Sequence, residues 1–170
     1  MNKSYEIELE YRPGSTKYPF DEDDLQKFLQ YMRRETPEFE FDRDWIAHLR
    51  RTNGGVPEGY FFNMPGQDGE RHLLEYMYYF KRLGPTSDNA SVGRIWSLAC
   101  NSEAFHYNCI PFGQLSFGDL LCFDHREKPG GPAPVVLWLH EESQEDDPVF
   151  QYVAPTFRDF VKMLYRDEDE

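Results

Sequence analysis

Ile110-Pro111-Phe112-Gly113-Gln114-Leu115-Ser116-Phe117-Gly118-Asp119-Leu120-Leu121-Cys122-Phe123-Asp124-His125-Arg126 holds two short apolar runs on either side of a polar, glycine-bearing turn. The first run is Ile110 to Phe112 and the second is Leu120 to Phe123. Gly113 and Gly118 bracket the turn, and glycine enters turn conformations at no steric cost. Aromatic-rich runs of this length, bounded by turn signals, predict strands. Pro111 cannot donate to a ladder, which predicts an edge strand or a strand start there. Asp119 stands where the turn ends, and its carboxylate is expected to accept N–H groups of that turn. After a loop stiffened by Pro129, Pro132 and Pro134, Val135-Val136-Leu137-Trp138-Leu139-His140-Glu141 reads as the second arm of a hairpin.

The flanking sequence supplies elements to lay on this hairpin. Residues 20–35 predict a helix: Asp21 is a natural N-cap, and Leu25, Phe28, Leu29 and Met32 recur at helical spacing. Residues 41–52 predict a second helix capped by Asp42, with Trp45, Ile46 and Leu49 inward and Arg43, His48, Arg50 and Arg51 outward. It ends at Asn53-Gly54-Gly55, a helix-stop signal. Residues 59–64 and 73–81 read as strands, the second on aromatic density although a helix is compatible with its Leu, Glu and Met. Residues 91–103 carry Val92, Ile95, Trp96 and Ala99 at helical spacing. Residues 149–153 predict a strand. Residues 156–166 predict a last helix, with Thr156 and Asp159 placed as a capping box. A weak alternation through residues 1–11 suggests a short strand, and residues 167–170 an acidic, frayed tail. Helices around consecutive strands predict α+β: a twisted antiparallel sheet with helices packed around it. At 170 residues the expectation is a single domain over 1–170, its core about 21–164.

Charge narrows the function. The chain has 31 acidic against 18 basic residues, a net charge of −13, and 16% of its residues are aromatic. Mean hydropathy is −0.75, which reflects surface charge and not a lack of core residues. Nucleic acid and anionic membranes both call for a basic face, so the expected partner is a basic protein. Three cysteines, Cys100, Cys109 and Cys122, lack Cys-x-x-Cys spacing and are expected to be reduced thiols of a cytoplasmic protein. The N-terminus carries no apolar segment of the signal-peptide kind, and no run reaches the roughly 20 apolar residues of a membrane span.

No catalytic or cofactor motif stands out. His106 and Cys109 have the spacing of one metal pair, but a second pair is lacking. Asp124, His125, His140, Glu141 and Glu142 are read at adjacent strand ends of the hairpin, where they could converge for metal binding or acid–base work. No Gly-x-Ser-x-Gly elbow exists, and Cys122 reads as a packed thiol. The expectation is no catalytic residue, no cofactor and no resident metal.

The order of these signals resembles one family. Asn53-Gly54-Gly55 after a helix, Pro57 before an aromatic strand, Ile110-Pro111-Phe112-Gly113, Gly118 to Asp124, Val135 to Glu141, then Val153-Ala154 and Phe157 before a terminal helix look like the SUKH superfamily. That group comprises bacterial immunity proteins of polymorphic toxin systems and related fungal cell-wall synthesis regulators. The resemblance spans about residues 21–164. It departs in a long insert between Lys81 and Phe105 and in the acidic loop from Glu141 to Asp147.

The resemblance implies a non-enzymatic immunity protein that binds and neutralises a cognate toxin, for which a nuclease with a basic groove is a fitting target. A regulator or scaffold of cell-wall synthesis is the second reading, and a metal-dependent hydrolase using Asp124, His125, His140 and Glu141 the third. The expected binding surface is the acidic edge of Glu141, Glu142, Glu145, Asp146 and Asp147, with Trp138 and Tyr152 as aromatic anchors. Monomer and homodimer both stay open.

Overall fold

Six strands follow one another across one antiparallel sheet in chain order: β1 (Phe61–Asn63), β2 (Arg71–Met77), β3 (Cys109–Leu115), β4 (Leu120–Asp124), β5 (Val135–Trp138) and β6 (Phe150–Ala154). Among the described residues four helices accompany them: α1 (Glu22–Met32), α2 (Arg43–Arg51), α3 (Val92–Asn101) and α4 (Phe157–Met163). The computed structural model describes residues 8–66, 70–81 and 90–167. The architecture is α+β, with helices packed around the sheet. The strand expected over residues 1–11, the turn at 65–69 and the tail at 167–170 lie partly outside the described residues. Of the first, Tyr11 forms an isolated bridge to Pro57.

Local chemistry sets the helix starts. Asp21 caps α1 by accepting from Asp23 N–H at 2.8 Å. Ser91 caps α3, and Thr156 caps α4 while bonding the Asp159 carboxylate at 2.8 Å. Asp42 does more than cap. One carboxylate oxygen accepts from Asp44 and Trp45 N–H, and the other from Phe157 N–H at 3.3 Å, so one buried side chain ties the start of α2 to the start of α4. Burial pushes its carboxyl up, against the pull of those three N–H donors.

The core is aromatic. Trp45 of α2 lies 5.0 Å from Phe123 of β4, and Phe112 of β3 stacks on Phe123 at 4.4 Å. Phe157 and Phe160 of α4 meet Phe112 edge-on. Asn53 brackets the chain behind α2: its amide donates to the Phe80 carbonyl at 3.1 Å and accepts from Phe80 N–H at 2.7 Å. Gly54 follows at φ +78, where a Cβ would come within 2.7 Å of the Met77 carbonyl; the helix-stop glycine is also a packing requirement.

Several expectations are corrected. Gly113 belongs to β3 and not to the turn, which shrinks to a 3-10 turn at Ser116–Gly118. A Cβ on Gly113 would meet the Tyr76 carbonyl at 3.0 Å, so glycine serves the close approach of β2. Of the two expectations at Pro111, an edge or a strand start, the second holds: β3 is third of six, and Pro111 is its third residue. Pro111 is tolerated because β2 pairs only from Gly113 onward, with a bulge between Pro111 and Gly113. His48 faces inward: it is 3% exposed, bonded to the Tyr11 hydroxyl and packed on Phe157. The β5 strand ends at Trp138, and α4 at Met163. Tyr165 then exchanges backbone hydrogen bonds of 2.8 and 2.9 Å with Phe61, which covers the free edge of β1.

Candidate functional site

Antiparallel register decides which loops share an end of the sheet. Leu120 pairs with Trp138, and Trp138 with Phe150, so the β3–β4 turn and the β5–β6 loop emerge side by side. The turn is closed by Leu115 N–H bonding the Asp119 carbonyl at 3.0 Å. At its tip Phe117 holds φ +74 and is 91% exposed. A phenylalanine in the left-handed region costs on the order of 1–2 kcal/mol, and here the ring gains no burial in return. Gly118 follows at φ +91, and a Cβ there would come within 3.2 Å of the His140 ring.

Asp119 fixes that ring. It was expected to accept from its own turn. Instead one oxygen accepts from the His140 backbone N–H at 3.2 Å and from its Nδ1–H at 2.7 Å. Asp119, His140, Glu141 and Glu142 surround a hollow of about 90 Å³ with Phe117 at its rim. The ring of Phe117 was missed as a site residue. Its only signal in the sequence was an aromatic residue between Ser116 and Gly118 in a predicted turn.

The acidic loop is braced although its side chains are exposed. Leu139 O accepts from Glu142 N–H, Ser143 N–H and the Ser143 hydroxyl, and that hydroxyl in turn accepts from Val149 N–H at 2.8 Å. Gln144 and Asp147 exchange backbone hydrogen bonds of 3.1 and 2.8 Å. Asp146, at φ +59, donates its N–H to the Glu103 carbonyl at 2.8 Å and so fastens the loop to the end of α3. Glu141, Glu142, Glu145, Asp146 and Asp147 thus project from a backbone braced at Glu142, Ser143, Gln144, Asp146 and Asp147, which lowers the ordering entropy lost on binding.

The two aromatic residues named with them fare differently. Tyr152 is half-exposed on the outer strand β6, opposite Val136. Trp138 is buried: its indole N–H donates to the Ala104 carbonyl at 2.8 Å, and Phe105 meets it edge-on at 5.1 Å. It is an internal strut beneath the acidic loop, and its face is not offered to a partner.

The constellation read for acid–base work is not assembled. Phe123 pairs with Val135 and Leu120 with Trp138, so Asp124-His125 and His140-Glu141 lie at opposite ends of the hairpin. Asp124 is held by a bidentate Arg126 fork, both bonds 2.9 Å. Burial raises its carboxyl, but the Arg126 hydrogen bonds and charge outweigh this and hold it below the usual range. His125 is 1% exposed and donates Nδ1–H to the Lys128 carbonyl at 2.8 Å; burial lowers its pKa. Among the described residues no three His, Cys, Asp or Glu side chains gather in a way that could hold a metal. The three cysteines are free thiols. Burial pushes Cys100 up to about 11 and Cys109 and Cys122 higher, which keeps them protonated and poorly nucleophilic. Among the described residues no helix is long and apolar enough to cross a membrane.

The sequence model described as the SMI1 / KNR4 family (SUKH-1) matches residues 19–163, from just before α1 to the last residue of α4. No curated protein and no solved structure matches the chain.

Proposed function

The chain belongs to the SMI1 / KNR4 family (SUKH-1), and from that premise we propose that it is a non-enzymatic immunity protein that binds and neutralises a cognate basic toxin. One observation supports this reading above the others: a braced acidic loop stands beside a strained, fully projected phenylalanine. Such an end suits a protein partner. The aromatic ring anchors, and the surrounding carboxylates steer a basic surface into place. A nuclease is the fitting toxin class, because its groove is built for phosphates and a row of carboxylates can stand in for them. The scattered histidines, the Arg126-bound Asp124 and the protonated thiols support a binding role without catalysis. The reading places the protein in the cytoplasm, the compartment that keeps three such thiols reduced.

The experiment pairs this protein with the product of the adjacent gene in one cell. The expected result is that the neighbour is toxic alone, that this protein restores growth, and that the two co-purify. Phe117→Ala combined with Glu141→Lys and Glu142→Lys is expected to abolish rescue while the protein stays folded. Rescue that survives the triple substitution removes the surface from the proposal. A neighbour whose toxicity is untouched removes the immunity role and favours regulation of cell-wall synthesis, the other role the resemblance implies.

A further inference from the structure

A second surface lies away from the acidic loop, between α1 and α3. Tyr31 of α1, Trp96 of α3 and Tyr107 line a cleft of about 280 Å³. Met32, Arg34 and Glu35 complete its wall. The two tyrosines are about half exposed, at 48% and 49%. The tryptophan between them is fixed: its indole N–H donates to the Tyr107 carbonyl at 2.9 Å, and Tyr31 meets it edge-on at 5.8 Å. His106 stacks on Tyr107 at 5.0 Å and 15°, which steadies the far wall. Trp, Tyr and Arg are the residue types that dominate binding energy at protein interfaces.

We propose that this cleft receives a cationic side chain, arginine or lysine, from a basic protein partner. The inference rests on the reading of such a partner given above and names a second place where it is held. One general rule and two observations carry it. Aromatic faces attract a cation through their quadrupole, and the effect grows when the site is shielded from water. Glu35 stands in the wall and supplies the opposite charge. The molecule already shows the interaction: the Arg34 guanidinium lies 5.6 Å over the Tyr31 ring. Arg34 is therefore the competing cation in the free protein. A cleft of this size holds one long side chain and not a helix, and the net charge of −13 draws basic surfaces towards the molecule.

The test titrates the whole protein with Nα-acetyl-arginine-N-methylamide and with its neutral citrulline analogue, read by NMR at the Trp96 indole N–H. The expected result is a saturable shift with the arginine compound, with affinity in the millimolar range, and none with citrulline. Tyr31→Leu and Tyr107→Leu, which keep apolar bulk and lose the ring, are expected to remove saturation. Arg34→Ala is expected to tighten binding by about threefold. Equal shifts from both compounds overturn the proposal, as does unchanged binding in both tyrosine variants. No toxin is present, so a negative result removes the cleft and leaves neutralisation through the acidic end standing. Saturable arginine binding by a protein that fails to neutralise keeps the cleft and removes the immunity role.

Discussion

The two ends of β4 each carry a carboxylate, and the chain treats them in opposite ways. At one end Asp124 is locked into an arginine fork, His125 is buried against Phe39 at 4.7 Å, and the loop of prolines folds back so that Pro129 accepts from Glu40 N–H. At the other end Asp119 holds His140 in place, Phe117 projects into solvent, and five acidic side chains of the neighbouring loop stay exposed. The first end closes the fold, and substitutions there should register as stability. The second spends backbone strain without gaining burial, and substitutions there should register as binding. Strain that packing does not repay is a pointer to function, provided its removal leaves the fold intact.

The largest expected effect lies at the closed end. His125→Ala removes a buried ring and its bond to the Lys128 carbonyl, and should lower unfolding free energy by about 3 kcal/mol. Urea denaturation at neutral pH measures this, and a loss below about 1 kcal/mol would mean that the end is not closed as described. The same residue sets a pH dependence. Its folded pKa lies below the unfolded value of about 6.5, so its contribution is complete above that value and is lost as pH falls through the folded one. Stability should therefore decline on acidification from about pH 6.5, and less steeply in the variant. His106, also lowered by burial and by Arg126, retains part of that slope.

The open end should behave in the contrary sense. Phe117→Ala is expected to weaken partner binding by about 2 kcal/mol, roughly 30-fold, with no loss of stability. Phe117→Gly relieves the left-handed strain and should raise stability by up to about 1 kcal/mol while losing the same affinity. Calorimetric binding and thermal melts on one preparation separate the two effects. Destabilisation of both variants would show that the ring supports the fold and would dissolve the contrast. Next in size, Glu141→Lys with Glu142→Lys should slow association about tenfold at low salt, with the difference closing near 1 M salt. A change confined to dissociation would mean that these carboxylates make contacts and do not steer.

Much of this contrast was open to sequence reasoning, and its limits have physical causes. Asp21, Asp42 and Thr156 were legible as caps because short polar side chains satisfy free N–H groups, a local rule that needs no tertiary knowledge. The acidic edge was visible as a run of charge. The pairing of His125 with His140 was misjudged because an antiparallel hairpin sets the end of its first strand beside the start of its second, so residues after β5 lie at the far end from His125. His48 was read as outward because polarity suggested it, while Tyr11, far off in sequence, provided its partner. Phe117 escaped because an aromatic residue near a strand normally counts towards the core. Its exposure in the folded chain shows that it points away.

The smallest expected effect tests whether the carboxylates at the two ends differ in kind. Asp124→Asn keeps an acceptor near Arg126 and deletes the charge. The folded pKa of Asp124 is depressed below the unfolded value of about 3.9, so its stabilisation is present above that value and disappears as pH falls through the folded one. The Arg126 side chain is 37% exposed, so screening keeps the difference from wild type under about 1 kcal/mol at pH 7. That difference should shrink below about pH 4 and vanish once pH falls below the folded value, as parallel urea titrations of the two proteins would show. Asp119→Asn retains the oxygen that His140 uses, so it should leave stability nearly unchanged and alter only the charge presented to a partner. If Asp119→Asn proves the more destabilising of the pair, then His140 is a fold-closing residue, and the end that carries Phe117 is held together for its own stability and not kept open for a ligand.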